Sequence, residues 1–358
     1  MSNKKNVGVI FGGKSGEYDV SLLSAYNVIK GIDKDKFDIT MIGITLEGKF
    51  YVYNGDVEKI KNNEWINDDA HLVSDFSLFN GDIIDDVDII FPVLHGQNGE
   101  DGRIQGLFEM MNKPYVGCEV LASSVCMDKD IAKRVFKSVG IPVVDDVLVF
   151  DTDIENEELL LNTIERCEKT LPYPMFVKPV NMGSSVGISK AKDKSELKEA
   201  LLKAVKFDTK ILVEKGINAR EIEVAVLGNS HPQASYPGEI VSCKEFYDYE
   251  AKYLSGDSSR IDIPVKIDED TMEKIRQFAV RAFKAVGASG LSRVDFFLDK
   301  DSSDVYLNEM NTLPGFTNIS MYAKMWDYMG IGYSDLIEKL INLGFERYEI
   351  KNRLTIKE

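Results

Sequence analysis

Basic residues are scarce in this sequence: 43 Lys and Arg stand against 59 Asp and Glu, which leaves a net charge of −16. Proteins that bind nucleic acid or anionic membranes need clustered Lys and Arg on their surface. The acidic excess therefore argues against both kinds of partner. We expect any polyanion that this protein binds to be small and to be held by a few local groups.

Cysteines and long apolar runs are scarce as well. The four cysteines are Cys118, Cys126, Cys167 and Cys243. They show no CxxC spacing and no grouping with histidine, so we expect reduced packing residues rather than disulfides or a zinc site. No apolar run reaches the ~18 residues that a membrane span needs, and the stretch 7–11 is too short for a signal-peptide core. We therefore expect a cytoplasmic protein.

An ordinary globular composition remains, with 44% hydrophobic residues in 358, which is long enough for two or three domains. An apolar strand at 6–11, a glycine-rich loop at 12–17 and a helix at 20–29 are typical of the opening of an α/β unit. Residues 8–15 match the P-loop pattern, but most of its variable positions fall in the apolar strand. We interpret the loop as a tight turn whose glycines allow positive φ.

Two residues near the expected carboxyl edge of this unit could be structural or functional. Further strands are predicted at 37–45 and 87–94, and the second is followed by the loop HGQNGEDG, which begins at His95. Open α/β sheets bind ligands at this edge, although a lone histidine often has a structural role. Glu17 could likewise cap the helix that follows it or bind a ligand.

The middle third suggests a nucleotide site. Residues 174–189 predict a hairpin flap, in which a strand carrying Lys178 leads into the loop MGSSVG. Backbone amides and hydroxyls of such a loop can close over phosphates, although a flexible turn would look the same. The strand 211–217 ends with Glu214 and Lys215, which suits an adenine hinge or an ordinary solvated pair. Glu221 and Glu223 lie within a strand, where carboxylates usually have partners.

The last third contributes a predicted lid and a predicted metal site. Residues 236–263 form a long irregular segment, with the aromatic and basic run FYDYEAKY at 246–253 as an active-site lid. Residues 291–316 predict a hairpin on which Arg293, Asp295, Glu309 and Asn311 share one face. The two carboxylates and the amide of this face offer oxygen ligands that suit Mg²⁺. The Pro-Gly turn at 314–315 frees backbone N–H groups beside them. The alternative is a solvated charged hairpin. A last helix is predicted at 334–343.

Seven segments in order resemble the D-alanine–D-alanine ligases of the ATP-grasp superfamily: VIFGGKSGEYDVSL, LHGQNGEDG, VKPVNMGSSVG, VEKGINAREIEVAV, FYDYEAKY, SRVDFF and NEMNTLPGFTNIS. The resemblance implies an α/β fold, with α+β character in the ATP-grasp part. It implies three domains: an N-terminal parallel-sheet preATP-grasp domain at 1–125, a central ATP-grasp subdomain with the flap at 126–218, and a C-terminal subdomain with lid and metal site at 219–358.

The resemblance also implies the reaction. ATP would phosphorylate one D-alanine to an acylphosphate, and the amine of a second D-alanine would displace phosphate, giving D-alanyl-D-alanine for peptidoglycan synthesis. The implied cofactors are ATP and two Mg²⁺ ions, with Mn²⁺ as a substitute, and we expect a homodimer. A D-alanine–D-serine ligase or another ATP-grasp carboxylate–amine ligase stays open, whereas Tyr253 disfavours the ester-forming D-lactate ligases, which carry histidine there.

The resemblance assigns roles residue by residue. The catalytic residues would be Glu17, Ser184, Tyr253, Arg293, Gly315 and Ser320, with Glu17, Ser184 and Tyr253 as a hydrogen-bonded triad. The D-alanine molecules would contact Glu17, His95, Arg293, Gly315, Ser320 and Met321. ATP would contact Lys129, Lys178, Ser185, Glu214, Lys215, Ile217, Glu221, Phe246, Lys252 and Asn308. The metal ions would be held by Asp295, Glu309 and Asn311.

Overall fold

The computed structural model describes residues 4–73, 82–242, 259–317 and 320–354. Its strands are β1 (Lys5–Gly12), β2 (Phe37–Ile44), β3 (Phe50–Tyr53), β4 (Leu72–Val73), β5 (Ile89–Val93), β6 (Asp146–Phe150), β7 (Met175–Pro179), β8 (Ser189–Ala191), β9 (Lys210–Lys215), β10 (Ala219–Gly228), β11 (Gln233–Ala234), β12 (Gly238–Ser242), β13 (Ser259–Asp262), β14 (Gly290–Asp299) and β15 (Val305–Asn311). Its helices are α1 (Tyr18–Gly31), α2 (Val57–Lys61), α3 (Asp82–Asp85), α4 (Arg103–Met110), α5 (Val120–Met127), α6 (Lys129–Ser138), α7 (Glu157–Thr170), α8 (Lys194–Ala204), α9 (Glu269–Ala285), α10 (Met321–Tyr328) and α11 (Tyr333–Asn352). No helix in these ranges is both long and apolar enough to cross a membrane.

The first sheet has the strand order β4-β3-β2-β1-β5, and β1 lies parallel to both β2 and β5. Helices α1 and α11 cover one face and α3 and α4 the other, which explains why β1 is an almost continuous apolar run. The parallel core confirms the predicted α/β opening. The sheet is not wholly parallel, however, because β3 and β4 add antiparallel strands at one edge. These strands of four and two residues are too short for a periodic signal.

The loop after β1 is the tight turn that the sequence predicts. Gly12 and Gly13 have φ of 85° and 103°, in the region that favours glycine. A Cβ on Gly12 would lie 2.2 Å from the carbonyl oxygen of Ile44, and the Gly13 amide donates to that oxygen at 2.8 Å. The glycines therefore let β1 leave the sheet close beside β2.

The second sheet is antiparallel, with the order β6-β9-β7-β8, and α7 and α8 pack on one face. The pairing of β7 with β8 confirms the predicted hairpin flap, whose loop includes Ser184 and Ser185. Both serines have positive φ, 50° and 60°. Non-glycine residues in this region are strained and cluster at ligand-binding sites.

The third sheet has the order β13-β12-β10-β14-β15, and β11 pairs with β10. Helices α5, α6 and α9 cover one face. The prediction of an irregular segment at 236–263 is wrong at both ends, where β12 and β13 pair antiparallel. These strands have five and four residues, too few to show alternation. Phe246, Lys252 and Tyr253 of the predicted lid lie outside the described residues.

The predicted hairpin at 291–316 is confirmed as β14 and β15. Arg293 pairs with Asn311 and Asp295 with Glu309, but the next pair is Phe296 with Leu307. Asn308 is therefore the extra residue of a β-bulge. The bulge keeps Glu309 on the face away from the apolar core, where it lies opposite Asp295.

The C-terminal helix α11 continues nine residues beyond Leu343, where the sequence predicts its end, to Asn352. Gly344 is the cause of the error, because a glycine at this point reads as a helix end. A Cβ at Gly344 would lie 2.8 Å from both the Ile89 side chain and the Tyr115 carbonyl oxygen. The glycine thus allows α11 to pack closely on the first sheet. Helix α10, just before α11, was not predicted.

Candidate active site

A pocket opens where the loops after β1 and β5, the flap and β15 meet. It is lined by Glu17, Gly96, Glu100, Cys126, Met127, Lys129, Met182, Gly183, Ser184, Arg293, Glu309, Met310, Asn311 and Thr312. The predicted site residues Glu17, Lys129, Ser184, Arg293, Glu309 and Asn311 thus come together although they belong to distant parts of the chain. Such a concave site with converging charged groups is the expected form of an active site.

Glu17 joins the first sheet to the flap. It precedes α1, but its side chain makes no capping hydrogen bond, so the capping interpretation is wrong. The Ser184 hydroxyl instead donates a hydrogen bond to Oε1 of Glu17. These are two of the three residues in the predicted triad; the third, Tyr253, lies outside the described residues.

The residues that are predicted to bind metal lie on one polar face of β14 and β15. Arg293 donates from Nε and Nη2 to the two oxygens of Asp295 at 2.8 and 2.7 Å, and the Asn311 amide donates to Asp295 Oδ2 at 3.0 Å. Glu309 lies 3.9 Å from the Lys129 ammonium. No group of three His, Cys, Asp or Glu side chains suited to a metal occurs in the described residues. Two carboxylates and one amide nevertheless fit Mg²⁺, which takes few protein ligands alongside water and phosphate oxygens.

Lys178 and Glu214 form a buried ion pair between β7 and β9, at 2.5 Å. Lys133, which was not predicted, reaches the other oxygen of Glu214 at 2.5 Å and Asp146 at 3.0 Å. Burial disfavours the charged form of Glu214, but Lys178 and Lys133 together lower the pKa of this carboxyl to about 2. The interpretation of Glu214 and Lys215 as a solvated pair is wrong, because Glu214 is buried and pairs with Lys178 and Lys133.

The Lys178 ammonium also marks where the second and third sheets face one another. It lies 5.8 Å from the centre of the Phe297 ring on β14. Burial opposes its charged form, yet the pKa of Lys178 is raised by Glu214 first, and then by Glu309 and Glu221. Residues predicted to hold ATP and metal therefore share one electrostatic environment between the two sheets.

Four further predicted ATP contacts lie on the second or third sheet or in the connection between them. Lys215 ends β9, and Ile217 follows it in the connection to β10. Glu221 lies on β10 opposite Phe297, and Asn308 is the bulge residue of β15. None of these four lines the pocket around Glu17.

His95 is buried and has two protein partners. Its Nδ1 lies 3.1 Å from the Leu313 carbonyl oxygen and its Nε2 3.1 Å from the Ser24 hydroxyl. Burial lowers the pKa of His95, so the ring is neutral at pH 7 and carries one hydrogen. That hydrogen is on Nδ1, which faces an acceptor, and Ser24 then donates to Nε2. The geometry gives His95 a structural connection to the turn at 313–316.

The turn at 313–317 brings two other predicted residues together. A Cβ on Gly315 would lie 3.3 Å from the Ser320 hydroxyl, and the Thr317 amide donates to that hydroxyl at 2.9 Å. Met321 follows at the start of α10 and is buried. Gly315 and Ser320 are thus neighbours, although neither lines the pocket around Glu17.

Glu100 is a pocket residue that the sequence analysis did not single out. Its oxygens accept hydrogen bonds from the amides of Gly96, at 2.8 Å, and Leu313, at 3.1 Å. Burial, with a further contribution from Glu17, raises the pKa of Glu100 to about 8. The signal in the sequence is its position, because Glu100 is an acidic residue in the glycine-rich loop that begins at His95.

Two family profiles match the chain. The profile of the D-ala D-ala ligase N-terminus matches residues 6–118, and that of the D-ala D-ala ligase C-terminus matches residues 135–342. Similar sequences include the D-alanine–D-alanine ligases of Thermoanaerobacter sp., 48% identical over 98% of this chain and 99% of the relative, and of Ruminiclostridium cellulolyticum, 51% identical over 98% of each.

Two solved ligase structures are also similar to this chain. The VanG D-Ala:D-Ser ligase of Enterococcus faecalis matches with a TM-score of 0.86 and 41% identity, over 96% of this chain and 100% of that one. The D-alanine–D-alanine ligase of Coxiella burnetii matches with a TM-score of 0.83 and 34% identity, over 98% and 97%.

Proposed function

Because the chain belongs to the D-alanine–D-alanine ligase family of ATP-dependent ligases with ATP-grasp architecture, we propose that the pocket between Glu17 and Arg293 is where two D-alanine molecules are joined. The activity is the ligation of D-alanine at the expense of ATP, for cell-wall synthesis. The observation that carries the site assignment is the meeting of Glu17, Ser184 and Arg293, from three different sheets, in one pocket.

The first step needs positive charge around a carboxylate. A carboxylate is a poor electrophile, and its attack on the γ-phosphate of ATP brings negative charges together. In the proposed site Glu17 holds the ammonium of the first D-alanine, with His95 near its carboxylate. Arg293 and the Gly315 amide offset the charge that develops on the reacting oxygens. The carboxylate oxygen bonds to phosphorus, ADP leaves, and an acylphosphate remains.

The second step forms the peptide bond. The second D-alanine, positioned by Ser320 and Met321, loses a proton from its ammonium, and the free amine attacks the acyl carbon. The carbon–nitrogen bond forms, the bond from carbon to the phosphate oxygen breaks, and inorganic phosphate leaves. Ser184 on the flap and Tyr253, in the predicted lid, would exclude water, which would otherwise hydrolyse the acylphosphate.

The proposed nucleotide site lies between the second and third sheets. Its proposed ATP contacts are Lys129, Lys178, Ser185, Glu214, Lys215, Ile217, Glu221, Phe246, Lys252 and Asn308. Asp295, Glu309 and Asn311 would hold two Mg²⁺ ions, or Mn²⁺ in their place. When bound, these ions neutralise phosphate charge. The raised pKa of Lys178 supports the assignment, since it keeps a positive charge available for phosphate.

Three further proposals concern organisation. We propose domains at 1–125, 126–218 and 219–358, supported by the confinement of each sheet to one of these ranges; α5 and α6, which flank the first boundary, pack on the third sheet. We propose a cytoplasmic enzyme because the reaction consumes ATP. We propose a homodimer, for which the exposed side chains of Met110 and Leu121 offer apolar surface.

A second candidate function is D-alanine–D-serine ligation. The similarity to the VanG D-Ala:D-Ser ligase structure, with a TM-score of 0.86, favours it as an alternative. The two activities share the first D-alanine and differ in the second amino acid. Only the subsite near Ser320 and Met321 would have to change.

Phosphate release from ATP and Mg²⁺ tests the function. The protein is given D-alanine alone, D-alanine with D-serine, D-alanine with D-lactate, and L-alanine, and the products are identified by mass spectrometry. We expect phosphate release and D-alanyl-D-alanine with D-alanine alone, and none with L-alanine. Preferential formation of D-alanyl-D-serine would establish the second candidate, and no release that depends on D-alanine would refute both.

A further inference from the structure

Glu100 and His95 hold the same residue from two sides. The Leu313 amide donates to Glu100 Oε1 at 3.1 Å, and the Leu313 carbonyl oxygen accepts from His95 Nδ1 over 3.1 Å. Both backbone polar groups of Leu313 are therefore bound by side chains of the loop after β5.

The hydrogen bonds that hold Leu313 also restrict the position of Gly315. Only Pro314 lies between them, and the proline ring fixes its own φ. One residue further on, the Phe316 amide donates to the Ser24 hydroxyl at 3.3 Å, and Ser24 in turn contacts His95. The turn is thus fixed on both sides of Gly315.

The other oxygen of Glu100 points to the Glu17 side of the pocket. It accepts from the Gly96 amide at 2.8 Å. A Cβ on Gly96 would lie 2.5 Å from Oε2 of Glu17, so the Gly96 backbone lies directly against the Glu17 carboxylate. One carboxyl group therefore connects the backbone behind Glu17 to the turn that carries Gly315.

We propose that Glu100 is a positioning residue, which sets the distance between the Gly315 amide and Glu17 by holding the amides of Leu313 and Gly96 together. The proposal rests on the proposed roles of Glu17 and Gly315. It assigns Glu100 no contact with substrate. Because misplacing a reacting group by about 1 Å can cost up to roughly a hundredfold in rate, loss of this connection should lower turnover more than binding.

Glu100→Gln tests the proposal because glutamine has nearly the same size but only one acceptor oxygen. Its NH₂ group would face one of the two amides, and that hydrogen bond would be lost. The matched control is Glu109→Gln. Glu109 also links distant segments, accepting from the Tyr115 hydroxyl at 2.9 Å and from Lys351, but it does not line the pocket.

The measurements are kcat and KM for D-alanine, the affinity for a non-hydrolysable ATP analogue, and the thermal midpoint. For Glu100→Gln we expect kcat per analogue-binding site to fall roughly tenfold to a hundredfold, with analogue affinity within about twofold of the unmodified protein. Glu109→Gln should leave kcat and KM unchanged. Glu100→Asp, which keeps the carboxyl group but is one methylene shorter, should show the same loss of kcat.

Three results would overturn the proposal. An unchanged kcat in Glu100→Gln would show that the connection does not matter for turnover. A higher KM for D-alanine at unchanged kcat would make Glu100 a substrate contact instead. Failure of both Glu100 variants to fold would make it a residue of stability alone. If the unmodified protein releases no phosphate with D-alanine, the proposed function itself is refuted. That result is distinct from any outcome of the Glu100 variants, which are compared with an active unmodified protein.

Discussion

Arg293 shows how a residue that is predicted for chemistry can also be needed for the fold. It lines the pocket, yet its guanidinium makes two hydrogen bonds to Asp295 and lies 3.2 Å from Glu223. From the sequence alone, Arg293→Ala is expected to lower turnover and leave the fold intact. In the structure that change would leave two carboxylates facing each other without this cation, which costs stability.

Arg293→Lys separates the two roles. Lysine keeps a positive charge near Asp295 and Glu223 but cannot make the planar, bidentate contact that arginine makes with Asp295. We expect turnover to fall roughly a hundredfold, the loss that removal of an oxyanion donor typically causes. Unfolding in urea should change less than for Arg293→Ala.

Arg260→Lys is the matched control, because Arg260 also pairs with an aspartate two residues on, Asp262, at 2.7 Å, but is exposed. Its turnover should be normal. A near-normal rate in Arg293→Lys, measured as phosphate release with D-alanine, would contradict the assignment of Arg293 as an oxyanion donor.

At the scale of elements, helix α6 connects two sheets. Its apolar residues Ala132 and Phe136 pack on the third sheet. Lys129 and Lys133, one turn apart, extend towards the second sheet, where Lys129 donates to the Met182 carbonyl oxygen of the flap at 2.7 Å and Lys133 binds Glu214. The helix therefore connects the flap and the Glu214 pair to the third sheet, which carries Asp295 and Glu309.

Lys133→Met should destabilise the protein. Methionine fills similar volume but removes a cation from buried Glu214 and from Asp146. Breaking a buried ion pair costs about 3 to 5 kcal/mol, and because Lys178 still neutralises Glu214 we expect about 2 to 3 kcal/mol in the free energy of unfolding, measured in urea.

The control for this change is Lys137→Met. Lys137 contacts the same Asp146 at 3.1 Å but is half exposed, so removing it should alter stability by less than about 1 kcal/mol. Equal effects of the two substitutions would show that burial of the lysine at position 133 is not what stabilises the Glu214 cluster.

Elements with a strong periodic pattern could be predicted from the sequence, and short or irregular ones could not. The hairpin of β14 and β15 is predicted with its polar face because Arg293 and Asp295 alternate with apolar residues. The bulge at Asn308 has no such signal, since one extra residue does not change composition. Strands β12 and β13, of five and four residues, are too short for alternation. Gly344 in α11 resembles a helix end in sequence, although close packing requires a glycine there.

At the scale of the whole molecule, the sequence identifies most of the charged residues around the pocket but not the residues that hold the turns together. Glu100 and Leu313 are 213 positions apart, and Lys133 and Glu214 are 81 apart. Local patterns carry no information about such pairs, which depend on how the three sheets pack. Motif order could indicate that Glu17 and Arg293 serve one reaction, but only the packing brings them into one pocket.

Arg347 of α11, near the end of the described chain, contacts several separate parts of the molecule. Its guanidinium donates to the Gly117 carbonyl oxygen, to the Ser289 hydroxyl at 2.8 Å and to the Tyr115 carbonyl oxygen at 2.7 Å. It also stacks on the Tyr115 ring at 4.4 Å. One side chain thus joins α11, the segment after the first sheet and the approach to β14.

Arg347→Met should therefore weaken the packing of the first sheet against the third. Methionine retains much of the apolar stem but removes the guanidinium that donates to the carbonyl groups of Tyr115 and Gly117. Hydrogen bonds to charged groups contribute about 1.5 to 3 kcal/mol each. We expect the free energy of unfolding in urea to fall by about 3 kcal/mol. Arg353→Met, in the exposed residue that follows α11, should change it by less than about 0.5 kcal/mol. Because Arg347 does not line the pocket, the folded Arg347→Met protein should keep its KM for D-alanine; a raised KM without loss of stability would mean that α11 acts on the site rather than on the fold.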